Sequence, residues 1–140
     1  MKALRYLLFL LLSFSNLYSQ KTTIEWDGNK VLDYGSFKYD LPFFKNENYS
    51  VINGVPYLTY TKRDKEASQY EIKNLVWEKI DAKNRFGLNE YNVQNKEIAY
   101  ANSQNQLLDG QYITNVVIAT FKKDAKNIYR LVSYDLVKKT

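Results

Sequence analysis

The chain has 140 residues, 45% hydrophobic and 25% charged, with 20 Lys plus Arg against 15 Asp plus Glu, and it contains neither Cys nor His. The missing Cys excludes disulfides, a thiolate nucleophile and thiolate metal ligands. The missing His excludes an imidazole acid–base group, and with it Cys–His and Ser–His–Asp catalysis within this chain.

Met1 to Ser19 has the three parts of a secretory signal peptide. Lys2 and Arg5 form a positive start, Leu7 to Leu12 an apolar centre, and Leu17-Tyr18-Ser19 places a small residue before Gln20. The apolar run is too short to cross a bilayer, which takes about 20 residues. The expected domains are therefore a signal peptide over 1–19 and one domain over 20–140. Removing Lys2 and Arg5 with that leader lowers the net charge from +5 to +3. The remaining basic residues form no run longer than Lys122-Lys123 and Lys138-Lys139, so nucleic acid is not an expected partner.

Short segments rich in Tyr, Val, Ile, Thr and Phe then recur with turn chemistry between them, which reads as strands. Thr22–Trp26 and Lys30–Leu32 flank Asp27-Gly28-Asn29, a hairpin signal because these residues tolerate positive φ. Phe37 to Leu41 alternates before Pro42. Val51-Ile52 and Pro56–Thr61 flank a second such turn, Asn53-Gly54. Glu66 to Lys83 fits two patterns. As a helix it puts Ile72, Leu75, Val76 and Lys79 on one stripe, and as a strand it puts Tyr70, Ile72, Val76 and Ile80 in one phase. Asn84 to Asn95 reads as loop, Glu97 to Ala101 as strand and Asn102 to Gln106 as a polar connection. Asp109-Gly110 is a turn into Gln111–Phe121, whose apolar residues occupy both phases, as in a strand covered on both sides. Lys122–Asn127 joins it to Ile128–Val137 in an apparent antiparallel hairpin. The expected fold is mainly β, an antiparallel β-sandwich with a jelly roll as one arrangement.

Candidate chemistry is sparse. Glu71 with Glu78, or Asp64 with Glu66, obey no spacing rule for a carboxylate pair, so no catalytic residue is assigned. Asp27-Gly28-Asn29-Lys30 lacks the later ligands of a calcium loop, and no metal or cofactor is expected. The aromatic content, 16% with 13 Tyr, is the one unusual constellation. Tyr57, Tyr60, Tyr70 and Trp77 are the candidate partner surface, against the alternative that they are strand residues with a buried body and a wet tip.

With the strands laid out, residues 20–140 resemble the N-terminal region of the gingipain-like signal peptidases of the type IX secretion system, the PorU family. Ile24-Glu25-Trp26-Asp27-Gly28, Leu41-Pro42-Phe43 and Gly54-Val55-Pro56-Tyr57 carry the likeness first. Tyr70 to Glu78 and Tyr129-Arg130-Leu131-Val132-Ser133-Tyr134 continue it. The resemblance implies a caspase-fold cysteine peptidase at the outer-membrane surface of Bacteroidota, which removes C-terminal sorting signals and joins cargo to anionic lipopolysaccharide. Its His and Cys lie in a downstream domain, so no catalytic residue transfers to this chain. The implied role is a non-catalytic leading domain, as a fragment, a truncated product or a stand-alone copy. Its implied partners are the catalytic portion and other secretion components, at the periplasm or outer-membrane surface, with no transmembrane segment after signal cleavage. The resemblance also favours strand for Glu66–Lys83. The alternative is a free-standing exported carbohydrate-binding or protein-interaction β module.

Overall fold

The computed structural model describes residues 21–95 and 101–139, so the leader Met1–Ser19 and residues 97–100 lie outside the described residues. The described chain is mainly β. Its strands are β1 (Lys21–Thr23), β2 (Trp26–Asp33), β3 (Lys38–Phe44), β4 (Tyr49–Ile52), β5 (Val55–Asp64) and β6 (Gln69–Lys79). They continue as β7 (Gln94–Asn95), β8 (Ala101–Leu108), β9 (Gln111–Ala119), β10 (Phe121–Lys123) and β11 (Ile128–Lys139). Between β6 and β7 run two 3₁₀ turns, Ala82–Asn84 and Glu90–Asn92. Glu66–Lys83 is thus largely a strand.

Two sheets face each other, antiparallel throughout except for the two-residue β7, which pairs parallel with β10. One has the order β4-β5-β9-β8. The other is centred on β11, with β6 along one edge and β10 and β1 end to end along the other. Leu58 of β5, Val116 and Ile118 of β9, and Leu131 and Tyr134 of β11 are buried together between them, with Ile72, Leu75 and Trp77 of β6 packed alongside. At one end the opposite face of the first sheet is covered too. Tyr57 and Ala119 there join Val55, Phe121 and Ile128 under Leu88 and Val93, which the 3₁₀ segment supplies. β9 is therefore dry along its inter-sheet face. On the other face only Ala119 is buried, with Ile113 and Val117 half-buried and Gln111 and Asn115 exposed, so the expected covering on both sides holds only at its C-terminal end. Burial of this kind contributes roughly 1.5–3 kcal/mol per large apolar side chain.

One chain segment serves both sheets. β9 ends at Ala119 and β10 begins at Phe121, with the buried Thr120 between them. Thr120 Oγ1 donates to Pro56 O at 2.5 Å, and Thr120 O accepts from Leu131 N at 2.8 Å, so the crossing residue is bonded to each sheet. This crossing corrects the expected hairpin of Gln111–Phe121 with Ile128–Val137. Only β10 pairs with β11, while β9 pairs with β5 and β8.

Two turns are where the sequence puts them. Asn53 (φ 52°) and Gly54 (φ 75°) join Ile52 to its register partner Val55, and Asp109 (φ 51°) and Gly110 (φ 76°) join Leu108 to Gln111. Two consecutive positive φ angles suit the twist of a two-residue hairpin. Two other readings need correction. Asp27-Gly28-Asn29 is not a turn but a bulge inside β2, where the register slips between Trp26 and Asn29 and Gly28 takes φ 59°. Asn102–Gln106 is not a connection but the body of β8, paired residue by residue with β9.

Candidate interaction site

The β2–β3 ribbon is exposed along most of β2 and at its tip. It forms a two-stranded sheet of its own, rooted at its open end by the register partners Trp26 and Phe44, with Leu41 buried further along β3. Trp26 donates Nε1 to Leu131 O at 2.8 Å and meets Phe44 and Phe121 edge-on, both at 5.2 Å. Gly87 N donates to Asp40 O at 2.6 Å and fixes the outer side of β3 to the body. A Cβ at Gly87 would lie 2.7 Å from that same oxygen, so only glycine fits. Beyond this root the ribbon holds itself. Asn29 Nδ2 donates to Asp40 Oδ1 across the strands at 2.5 Å, and Asp33 Oδ1 accepts Gly35 N at 2.9 Å inside the turn. Tyr34 N donates to Phe37 O at 2.8 Å and closes the tip.

Three large apolar side chains of this ribbon stand in solvent: Val31 at 60% exposure, Tyr34 at 60% and Phe37 at 65%. A lone two-stranded hairpin is marginal in water, and placing aromatics on its tip adds nothing to its own stability. Such residues read as contact surface. The sequence contains the signal for this tip in Tyr34-Gly35-Ser36-Phe37 with its central glycine. Placing the turn at Asp27–Asn29 instead hides it.

The aromatic residues selected from sequence do not gather on one surface. Tyr57 is buried in the core, where it cannot meet a partner, which corrects its assignment to a partner surface. Tyr60, Tyr70 and Trp77 are half-buried against the inter-sheet cluster. Tyr60 and Tyr134 share a hydroxyl–hydroxyl hydrogen bond across the two sheets. Trp77 has the Lys122 ammonium 4.5 Å from its ring centroid. Stacking on a sugar chain would need coplanar exposed rings, whereas Tyr34 and Tyr39 stand at 70° to each other.

Electrostatics supply no proton-transfer group near neutrality among the perturbed residues. Burial pushes the Tyr134 hydroxyl up to about 12 and drives Tyr49 and Tyr60 upward as well. The hydrogen bond from Lys138 holds the exposed Asp64 carboxyl below its ordinary range, and Asp64 in turn raises Lys138. Among the described residues no three acidic side chains lie close enough to hold a metal ion. No helix there is long and apolar enough to cross a membrane.

A recess lies where the loop between β10 and β11 meets the second 3₁₀ turn. The loop Asp124–Asn127 and the turn Glu90–Asn92 border a cavity of about 380 Å³ that Arg85 and Lys123 also line. Lys123 Nζ spans it, donating to Glu90 O at 2.8 Å and Tyr91 O at 3.1 Å.

Compared with known proteins, the chain matches no family model, no curated protein and no solved structure.

Proposed function

We propose that this chain works by docking rather than by catalysis, as the exported, non-catalytic leading domain of a type IX signal peptidase. The family part of this reading rests on the sequence resemblance over residues 20–140. The docking part rests on one observation, the self-supporting β2–β3 ribbon that presents Val31, Tyr34 and Phe37 to solvent. A chain with no Cys carries no cysteine nucleophile, so the peptidase chemistry belongs to another part of the machinery. The partner surface is the catalytic portion of that peptidase, on which an apolar tip gains by leaving water.

The test mixes purified residues 20–140 with the catalytic portion of a type IX signal peptidase and follows binding by calorimetry. A complex is expected, and the double substitution Tyr34→Ser, Phe37→Ser should weaken it at least about tenfold while leaving the thermal midpoint nearly unchanged. No complex, or one indifferent to these substitutions, overturns the proposal. Residues 20–140 alone should leave a sorting-signal substrate intact, and cleavage by them would sink the non-catalytic reading.

A further inference from the structure

We propose that the cavity between Asp124–Asn127 and Glu90–Asn92 binds the oxyanion of a small phosphorylated or carboxylated ligand. The argument starts from which charges at this cavity are already used. Both carboxylates in its wall are committed. Glu90 Oε1 accepts from Arg85 Nη1 at 3.0 Å. Asp124 Oδ1 accepts the backbone N–H groups of Lys126 at 3.0 Å and Asn127 at 2.8 Å, while its Oδ2 accepts the Tyr129 hydroxyl at 3.0 Å.

The cations are not matched in the same way. Lys123 is held by two carbonyl oxygens, which satisfy its donors without cancelling its charge. The ammonium of Lys126 has no hydrogen-bonded or ionic partner among the described residues. Arg85, Lys123 and Lys126 thus stand against Glu90 and Asp124, and with Arg85 already paired to Glu90 the wall keeps one net positive charge on its two lysines. Arg85 is under-satisfied as well. Beyond its bond to Glu90 it makes only a long contact from Nη2 to Ile80 O at 3.5 Å, and Nε is buried without an acceptor. A guanidinium has five donors, and one left this short at a cavity wall lacks acceptors. An oxyanion supplies acceptors and negative charge together.

The site is also braced. Phe86, next to Arg85, sits at φ 49°, a strained value for a bulky residue. Four neighbouring contacts hold it there: Gly87 N to Asp40 O, Leu88 N to Arg85 O, Asn89 N to Gly54 O, and Asn92 Nδ2 to Asn53 O. Tyr91, at 89% exposure, places beside the cavity a ring with the Lys123 ammonium 5.9 Å from its centroid, and the body of a ligand can rest against its remaining surface. The recess therefore takes a small molecule whose acidic group enters between Lys126 and Lys123.

The test is an amide-resolved NMR titration of residues 20–140 with inorganic phosphate, phenyl phosphate and benzoate, and with benzyl alcohol as the neutral control. Saturable shifts confined to residues 85–92 and 123–128 are expected with phenyl phosphate or benzoate below about 10 mM, and none with benzyl alcohol. The tighter of the two acids identifies phosphate or carboxylate as the natural group. Lys126→Ala, an exposed change that leaves the fold intact, should weaken binding about fivefold to tenfold, and 0.5 M salt by about as much. Absence of saturation with every acid, shifts that map elsewhere, or binding unchanged by Lys126→Ala overturns the proposal.

Discussion

At the scale of single residues, the hydroxyl pair of Tyr60 and Tyr134 carries the clearest physical consequence. Each ring is packed at the inter-sheet cluster and each hydroxyl has the other as a partner. Either single removal breaks the shared bond and leaves the surviving hydroxyl only its second partner, Glu47 for Tyr60 or Thr22 for Tyr134, whereas removing both breaks the shared bond just once. Tyr60→Phe and Tyr134→Phe should each cost about 1–3 kcal/mol in urea unfolding, and the double variant no more than the worse single one. A double variant that costs the sum of the two would refute the coupling. Burial also raises both phenols, Tyr134 to about 12, while an unfolded tyrosine titrates near about 10. Between those values the unfolded chain has shed protons that the folded chain retains. Stability from this pair is therefore complete below about pH 10 and falls as pH rises toward about 12. Thermal midpoints at about pH 9 and about pH 11 should differ more for the unmodified chain than for the double Phe variant.

At the scale of elements, the strand β6 is the instructive case. Sequence periodicity offers a helix or a one-phase strand, and β6 is a strand that changes phase midway. Asn74 takes φ 52° and the register with β11 slips there, so Tyr70 and Ile72 pack inward before the slip and Leu75 and Trp77 after it. Val76, in phase with Tyr70 and Ile72 by count, is consequently 47% exposed. Asparagine tolerates this backbone and a β-branched residue does not. Asn74→Gly should be nearly neutral, and Asn74→Val should cost about 1–2 kcal/mol by chemical denaturation. Equal costs for the two would show that the bulge is not what Asn74 provides.

The same device explains how much of the molecule is legible in the chain. The turns at Asn53-Gly54 and Asp109-Gly110 can be read because both central residues sit between well-marked strands. Asp27-Gly28-Asn29 has the same chemistry but serves as a bulge, since a Gly at positive φ ends a strand or merely bends it depending on what pairs beyond it. The polar run Asn102–Gln106 hides a strand because it pairs by backbone, and nothing in its side chains announces this. The candidate site suffers most from that ambiguity. With a turn already placed at residues 27–29, the true tip at Tyr34–Phe37 falls in the gap between the expected strands 30–32 and 37–41, and its exposed rings go unnoticed. The cavity at Arg85 and Lys126 joins segments about forty residues apart in sequence, and no local pattern marks it.

At the scale of the whole molecule, the two sheets are bound into one unit by Thr120, which is bonded to Pro56 of one and Leu131 of the other. Trp26 adds a second tie by packing against both core clusters. Unfolding should therefore be a single transition, with Trp fluorescence and far-ultraviolet circular dichroism giving the same midpoint. The C-terminal strand β11 holds the middle of its sheet, with β6 on one side and β1 and β10 on the other. A chain ending at Asn127 should lose the cooperative transition altogether, because three strands would be left without their common neighbour. The position of β11 also sets an order of events. As the polypeptide emerges from a ribosome, β1, β6 and β10 have no central partner until residues 128–139 follow, whereas β4, β5, β8 and β9 pair with one another. Late arrival of this keystone strand makes the second sheet the last to close, over a first sheet whose strands are all already present.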